Sequence, residues 1–164
     1  MRGKSYLMAT SPPDLSVPCP LAASLARLLR RERAEISRRW LDRISARVAL
    51  EPSRVFPTDD LLDHVPLLIE GIADYIEDPA EEIMTDIPVV AKARELGELR
   101  YAQGFDAYEI LKEHEILGGV IFAFLTRHVE EMEEPCTRAE LFHCAHRLFR
   151  AVQIIQQTTA VHFL

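Results

Sequence analysis

The sequence has 164 residues, of which 48% are hydrophobic, and a formal net charge of −7. This length fits one domain with a substantial core. The charge is uneven, because residues 1–50 contain ten Lys/Arg and four Asp/Glu whereas residues 51–164 contain nine and twenty-two. An acidic body of this kind argues against nucleic-acid binding, which needs clustered cations.

The cysteines and the apolar runs bear on the compartment. Cys19, Cys136 and Cys144 are an odd number and match no disulfide framework or zinc spacing, so we expect a reducing compartment. The first ten residues lack the apolar core of a signal peptide. The longest apolar run, residues 116–125, is shorter than the roughly 20 residues that span a bilayer. We therefore predict a cytoplasmic protein with no membrane span.

In the first third of the chain, the sequence predicts a flexible tail followed by a long helix. Residues 1–19 combine prolines with Ser, Asp and Gly, which is typical of a flexible tail. Residues 20–164 then form a single helical domain. Its first helix runs from about Leu21 to Leu50 and is closed by Pro52. Apolar residues share one face of this helix because they recur at spacings of three and four: Leu25, Leu29, Ile36, Trp40, Ile44 and Val48.

Prolines and a glycine mark the next two helices. The second helix begins near Thr58, ends before residues 78–82 and contains Pro66, so we expect a kink or a late first turn. Its apolar face consists of Leu61, Leu62, Val65, Leu68, Ile69, Ile72 and Ile76. The third helix begins near Pro88, which suits a first turn, and runs to Gln103. Gly104 then provides the residue that ends it.

Two capping-box patterns start the last two helices. Asp106 and Glu109 begin a fourth helix, which continues to about Glu133 and is apolar on nearly all sides. Thr137 and Glu140 begin a fifth. Its apolar stripe consists of Leu141, Ala145, Leu148, Val152 and Ile155. No strand or hairpin pattern occurs, so the sequence predicts an all-α bundle of about five main helices.

The fifth helix has an unusual ending. Its apolar spacing continues to Leu164 without a glycine, a proline or a polar tail. Chains usually end in polar or poorly ordered residues. We therefore expect that the helix continues into a further output domain as a connecting helix.

His114 is the leading candidate for a binding residue. It lies on the apolar stripe of the fourth helix, one of whose members is His128. A core histidine that makes a hydrogen bond is one interpretation, and a ligand site, including a haem site, is another. The aromatic residues that would line such a site are Tyr101, Phe105, Tyr108, Phe122 and Phe124.

Other candidate sites are weaker. Glu140, His143 and His146 share one side of the fifth helix, but a di-iron site needs a second Glu-x-x-His motif, so we predict no metal site. Gly118 and Gly119 interrupt the fourth helix at a cost, which indicates either a closely packed neighbour or room for a ligand. G-x-S-x-G, P-loop, H-E-x-x-H and G-x-G-x-x-G motifs are absent from the sequence, so we predict no catalytic residues in it.

Several short segments resemble a known family. LLDHVPLLIEGIADYI and the later GELRYAQGFDAYEILKEHEILGGVIFAFL are similar to the N-terminal domain of RsbRD-type stressosome proteins, a domain that also precedes many bacterial sensor histidine kinases. The similarity covers about residues 21–160. The matching positions are Trp40, Arg43-Ile44, Asp63-His64-Val65-Pro66, Arg100, Gln103-Gly104-Phe105 and Glu109.

The resemblance implies a globin-like helical domain that typically lacks haem, forms a homodimer and passes a signal to an attached output domain. Two positions depart from the family pattern. Leu96 stands where many members have histidine, and His114 stands where many have tyrosine. We therefore predict a signal-input and dimerisation domain of a sensor histidine kinase without a cofactor. The alternatives are a stressosome-type interaction scaffold and a ligand- or haem-binding sensor that uses His114 with Tyr101, Tyr108 and Phe105.

Overall fold

The computed structural model describes residues 17–48, 58–79, 88–102, 104 and 107–163. Within these ranges the chain forms helices and no strand. The helices are α1 (Ala22–Arg31), α2 (Arg33–Val48), α3 (Thr58–Glu77), α4 (Pro88–Ala102), α5 (Ala107–His128) and α6 (Arg138–Phe163), with a 3₁₀ turn at Val129–Glu131. The predicted all-α class, a globin-like bundle, is confirmed.

The predicted first helix is two helices. Between α1 and α2, Glu32 leaves helical geometry, with φ −103° and ψ 15°. The apolar face was predicted correctly, because Leu25, Leu29, Ile36 and Trp40 are buried, as is Ile44. Since α1 packs mainly on α3 and α2 reaches both α3 and α5, the break lets one apolar stripe meet two neighbours. Neither Gly nor Pro marks the break in the sequence.

The next three helices agree with the sequence at most of their ends. The helix α3 continues through Pro66 and buries Val65, and also Leu68, Ile69, Ile72 and Ile76. After α4, Gly104 adopts a φ of 76°, the left-handed geometry expected of a residue that ends a helix. The helix α5 ends at His128 and tightens into the 3₁₀ turn, so the predicted end at Glu133 is wrong. Residues 103 and 106, with the Asp106 cap, lie outside the described residues.

The helix α6 crosses most of the bundle. Its 26 residues correspond to about 39 Å and pack against α3, α4 and α5. The predicted capping box is confirmed, since the Thr137 amide donates to Glu140 Oε1 at 2.9 Å and the Glu140 amide donates to Thr137 Oγ1 at 3.1 Å. The predicted stripe needs correction. Its buried members, apart from Leu148 and Ile155, are Cys144, Arg147, Ala151, Ile154 and Thr159.

A disulfide contradicts the expectation drawn from the cysteine count. Cys19 and Cys144 are bonded, with their Cα atoms 5.2 Å apart, and Cys136 is the free thiol. The cysteine argument for a reducing compartment therefore does not hold. Residues 17–19, which were assigned to the tail, lie against α6, whereas residues 1–16 are outside the described part of the chain.

None of the helices in the described ranges is long and apolar enough to cross a membrane.

Candidate functional site

His114 lies on the inner side of α5 and is 1% exposed. The predicted stripe is confirmed by the burial of Leu117, Ile121 and Phe124. At its end, the ring of His128 packs against Phe124 with centroids 4.6 Å apart, and its Nδ1 lies 3.3 Å from Glu131 Oε2. His114 also borders a groove of about 440 Å³ between α5 and α6. It is thus a buried residue at the floor of an open groove.

The aromatic residues predicted to accompany His114 do not all come together. Tyr101 ends α4 with 69% of its surface exposed and is not among the residues that line the groove. Phe122 does line the groove, whereas Phe124 points into the core, as expected for residues two apart on a helix. Phe105 and the side chain of Tyr108 lie outside the described residues.

A buried ion pair lies one residue before His114. Arg100, on α4, is 0% exposed, and its Nε donates to both carboxylate oxygens of Glu113 at 2.8 and 2.9 Å. Arg100 Nη2 donates to Glu113 Oε1 as well. The indole Nε1 of Trp40 donates to the Glu113 carbonyl at 3.1 Å, and Arg100 Cζ lies 5.9 Å from the Trp40 ring centroid. These three residues, the Arg100–Glu113 centre, join α2, α4 and α5.

On their outer surface, away from the Arg100–Glu113 centre, α5 and α6 expose large apolar side chains. Phe142 is 78% exposed, Phe149 53% and Phe122 42%. Phe122 lines both the groove at His114 and a second groove, of about 290 Å³, at the Cys144 end, so the apolar surface is continuous. We call this surface the α5/α6 face; it consists of Leu111, Phe122, Leu141, Phe142 and Phe149. Contiguous apolar patches of this kind mark interaction sites.

Charge is nearly absent from the α5/α6 face. The second groove is lined by apolar residues, Thr126 and the disulfide-bonded Cys144, and none of these side chains is ionisable. Around the first groove, Glu115 is the acidic residue, and Lys112 Nζ lies 2.9 Å from its carboxylate. Gln153 and Gln156 supply neutral polar groups. Depletion of charge is typical of the core of protein–protein interfaces.

The two glycines of α5 also lie at this face. A Cβ on Gly118 would meet Val152 Cγ1 at 3.6 Å, an ordinary contact, and one on Gly119 would meet nothing within 4 Å. Close packing within the described part of the chain therefore does not account for either glycine. What they do is leave the groove floor flat and open, because both line it.

The residues considered for metal binding do not form a site. Glu140 accepts hydrogen bonds in the capping box, chiefly from the Thr137 amide, and these lower the pKa of its carboxyl group. No group of three or more His, Cys, Asp or Glu side chains is close enough to hold a metal ion in the ranges that the structure describes.

Two features of this region were not predicted from the sequence. Arg100 was noted only as a family position, and nothing in its spacing from Glu113 indicated that the two residues pair. The α5/α6 face was hidden because Leu141, Ala145 and Val152 were read as core, while Phe142 and Phe149 were not considered. The signal in the sequence was that α6 is apolar on more than one side, which indicates that two of its faces are covered.

The chain was compared with known families, proteins and structures. No curated protein and no solved structure matches it significantly. Residues 34–162 match the family model described as the RsbT co-antagonist protein rsbRD N-terminal domain, a stressosome-type signalling domain. This match includes the Arg100–Glu113 centre and the α5/α6 face, and it covers well over half of the chain. The protein therefore belongs to the RsbT co-antagonist rsbRD N-terminal domain family.

Proposed function

We propose that this domain is the signal-input and homodimerisation domain of a sensor histidine kinase, and that a second copy of the chain covers the α5/α6 face. The observation that carries the proposal is the continuous, nearly uncharged surface around Phe122, Phe142 and Phe149. Two antiparallel helices with one apolar face pair readily with their symmetry mate, because an isologous contact matches a patch with itself. The pairing would form a four-helix arrangement.

The open glycines support the same occupant. Small residues at a helix surface allow another backbone to approach closely, and the described chain itself places nothing over Gly119. A partner helix at this point would account for the helix-propensity cost of about 1 kcal/mol that each glycine carries relative to Ala.

The helix α6 is the element proposed to carry the signal. It packs on α3, α4 and α5, and residues as far along it as Thr159 are buried, where Thr159 Oγ1 donates to the Ala93 carbonyl at 3.3 Å. A change in packing at α4 or α5 is therefore felt along its length. Signalling through it needs two populated packings that the signal favours unequally.

Self-association tests the dimer. Sedimentation equilibrium is expected to give a dimer for the wild-type chain and at least about tenfold weaker association for Phe142→Glu combined with Phe149→Glu, since buried aromatic anchors dominate interfaces. Leu67→Glu, at an exposed apolar position on α3 (41% exposed), is the control and should remain dimeric. A wild-type chain that stays monomeric at high concentration contradicts the proposal.

The output is tested in the full-length gene product. We expect incorporation of labelled phosphate from ATP by the whole protein and none by residues 1–164 alone, which we propose to be non-catalytic. Single-residue insertions after α6 should alter activity with helical periodicity. Activity that does not depend on the phase of the insertion speaks against transmission through α6.

The second candidate is a stressosome-type scaffold, which the family description favours. In that case the full-length protein would not autophosphorylate, and the domain would assemble into particles much larger than a dimer. Sedimentation velocity of the full-length protein distinguishes the two, because a kinase dimer and a large assembly differ greatly in mass. Cytoplasmic location is part of both proposals and is tested by fractionation of cells that express the full-length protein.

A ligand-binding function for His114 is the remaining candidate, supported by its position at the groove of about 440 Å³. For haem, the ring of His114 is 1% exposed, so an iron ligand there would require α5 and α6 to separate. We therefore propose a domain without a cofactor. Haem reconstitution should leave the Soret band of free haem unshifted, and a shifted band that is lost in His114→Ala would reverse this assignment.

A further inference from the structure

The disulfide joins two parts of the molecule that are distant in sequence. Cys19 precedes α1, and Cys144 lies on α6, 125 residues later. The two residues are 8% and 2% exposed. The bond therefore ties the segment that leads into α1 (residues 17–21) to the helix proposed to carry the signal.

Next to the disulfide, a side chain of α6 also forms a hydrogen bond with residues 17–21. Arg147, one turn beyond Cys144 on α6, donates through Nη2 to the Val17 carbonyl at 2.9 Å. Its Nη1 donates to the Ile76 carbonyl at the end of α3, at 2.8 Å. Burial lowers the pKa of Arg147. The disulfide and the Arg147 hydrogen bond thus both hold residues 17–21 on α6, and Leu21 at the end of this segment is buried.

A route from solvent leads toward the bond. Cys144 lines the open groove of about 290 Å³ together with Leu25, Phe142 and Leu148. Because thiol–disulfide exchange needs an attacking thiolate to reach one sulfur, the groove provides the access that a disulfide sealed in a core lacks. The same groove includes Phe122, Leu141 and Phe142 of the α5/α6 face, so the bond and the proposed dimer contact share residues, and the route is open when the two copies dissociate.

The third cysteine does not compete in this exchange. Cys136 lies in the segment before α6 and is partly buried. Burial, and then the nearby charge of Glu140, raises the pKa of its thiol. Since the thiolate is the nucleophile, Cys136 is a poor attacking group near neutral pH. The chain therefore has one defined oxidised pairing and one bystander thiol.

We propose that Cys19–Cys144 is a reversible thiol–disulfide modification site that controls how α6 presents the α5/α6 face. The co-reactant is a dithiol reductant. One of its thiolates attacks Sγ of Cys144, the cysteine that lines the groove, and Cys19 leaves as a thiolate that takes up a proton. The second reductant thiol then attacks the reductant's own sulfur in the mixed disulfide and releases Cys144. Two protein thiols and one oxidised reductant result, and two electrons are transferred.

Reduction removes the covalent link between residues 17–21 and α6. The Arg147 hydrogen bond to Val17 and the burial of Leu21 remain, but both are non-covalent, so this segment and the first turns of α6 gain freedom. Leu141 and Phe142, within one turn of Cys144, then lose their fixed positions. This step rests on the proposed dimerisation function, because the affected readout is self-association.

The first test counts thiols in the folded full chain. Dithiothreitol is the probe, followed by iodoacetamide at alkaline pH, where the Cys136 thiol also ionises, and by intact mass measurement. We expect one adduct per chain before reduction, at Cys136, and three after it, since the other two cysteines form the bond. Cys136→Ser is the matched control and should give no adduct before reduction and two adducts after it. Reduction that needs a denaturant would overturn the proposal, because the bond would then be purely structural.

The second test measures the consequence. Reduction should raise amide hydrogen exchange in residues 17–21 and in the first turns of α6, and should weaken self-association at least about fivefold, the lower end of usual coupling between sites. Cys19→Ser should behave like the reduced chain and should not respond to dithiothreitol. Unchanged exchange and affinity after complete reduction would overturn the regulatory role while leaving dimerisation intact. If the oxidised chain is monomeric, the dimer proposal is wrong. Amide hydrogen exchange alone then tests whether the disulfide controls α6.

Discussion

The inner and outer faces of α5 differ in what covers them. On the inner face, Glu113 is paired with a fully buried arginine, and Ile121 is 0% exposed. On the outer face, Phe122 is 42% exposed, and a Cβ on Gly119 would meet nothing within 4 Å in the described chain. The helix is therefore apolar on two sides for two reasons. The inner side stabilises the fold, and the outer side is proposed to bind a second copy.

The difference implies that substitutions on the two faces act on different equilibria. Inner-face changes should lower the free energy of unfolding of the monomer. Outer-face changes should lower that free energy little or not at all and weaken self-association instead.

The largest effect is expected at the buried ion pair. Arg100→Met should lower the free energy of unfolding by about 3–5 kcal/mol, because Glu113 would remain buried without its main charge partner. Urea denaturation measures this. The double variant Arg100→Met with Glu113→Leu removes both charges and should recover much of the loss. If the double variant is no more stable than the single one, the pair is not the source of the effect.

A pair of neighbouring alanine substitutions compares the faces directly. Ile121→Ala should cost about 2–5 kcal/mol of unfolding free energy, since it leaves a cavity in the core. Phe122→Ala should change the unfolding free energy of the monomer by much less, while weakening the dimer. Denaturation at low protein concentration and sedimentation at high concentration separate the two quantities. Equal losses of monomer stability at both positions would break the distinction between the faces.

Gly119→Ala sharpens the same comparison. The new Cβ meets nothing in the described chain, and Ala favours a helix over Gly, so the monomer should gain about 1 kcal/mol of stability. If a partner helix approaches here, as proposed, self-association should weaken at the same time. A variant that is more stable and still fully dimeric would show that the partner helix does not approach Gly119.

The smallest effect concerns the start of α6 and depends on pH. Hydrogen bonds from Thr137 lower the pKa of Glu140 in the folded chain. Because the folded pKa lies below the unfolded one, this contribution to stability is present above the unfolded pKa and is lost as the pH falls through the folded pKa. Glu140→Gln should therefore reduce the acid sensitivity of the unfolding midpoint slightly. An unchanged pH profile would mean that the cap titrates without effect on α6.

Local chemistry made several elements predictable from the sequence. Thr137 and Glu140 form their capping box from residues three apart, Gly104 takes the left-handed geometry that favours glycine, and Pro88 occupies a first turn. Such features depend on neighbouring residues only. The buried faces of α2 and α3 followed from periodicity for the same reason.

Features that depend on residues far apart were not accessible in this way. The bond between Cys19 and Cys144 is set by where the segment before α1 meets α6, and an odd cysteine count argued against it. The pairing of Arg100 with Glu113 depends on where α4, which packs on α3 and α6, is held relative to α5.

The sequence by itself determined the helical class, most helix ends and the family, because hydrophobic period, caps and short motifs act over a few residues. Tertiary structure alone decided which apolar side chains of α6 are core and which remain exposed. Leu148 and Phe149 are adjacent and similarly apolar, yet one is 2% and the other 53% exposed. The physical reason is that burial is a property of the neighbouring helices, and the chain pattern does not specify which neighbours cover each face.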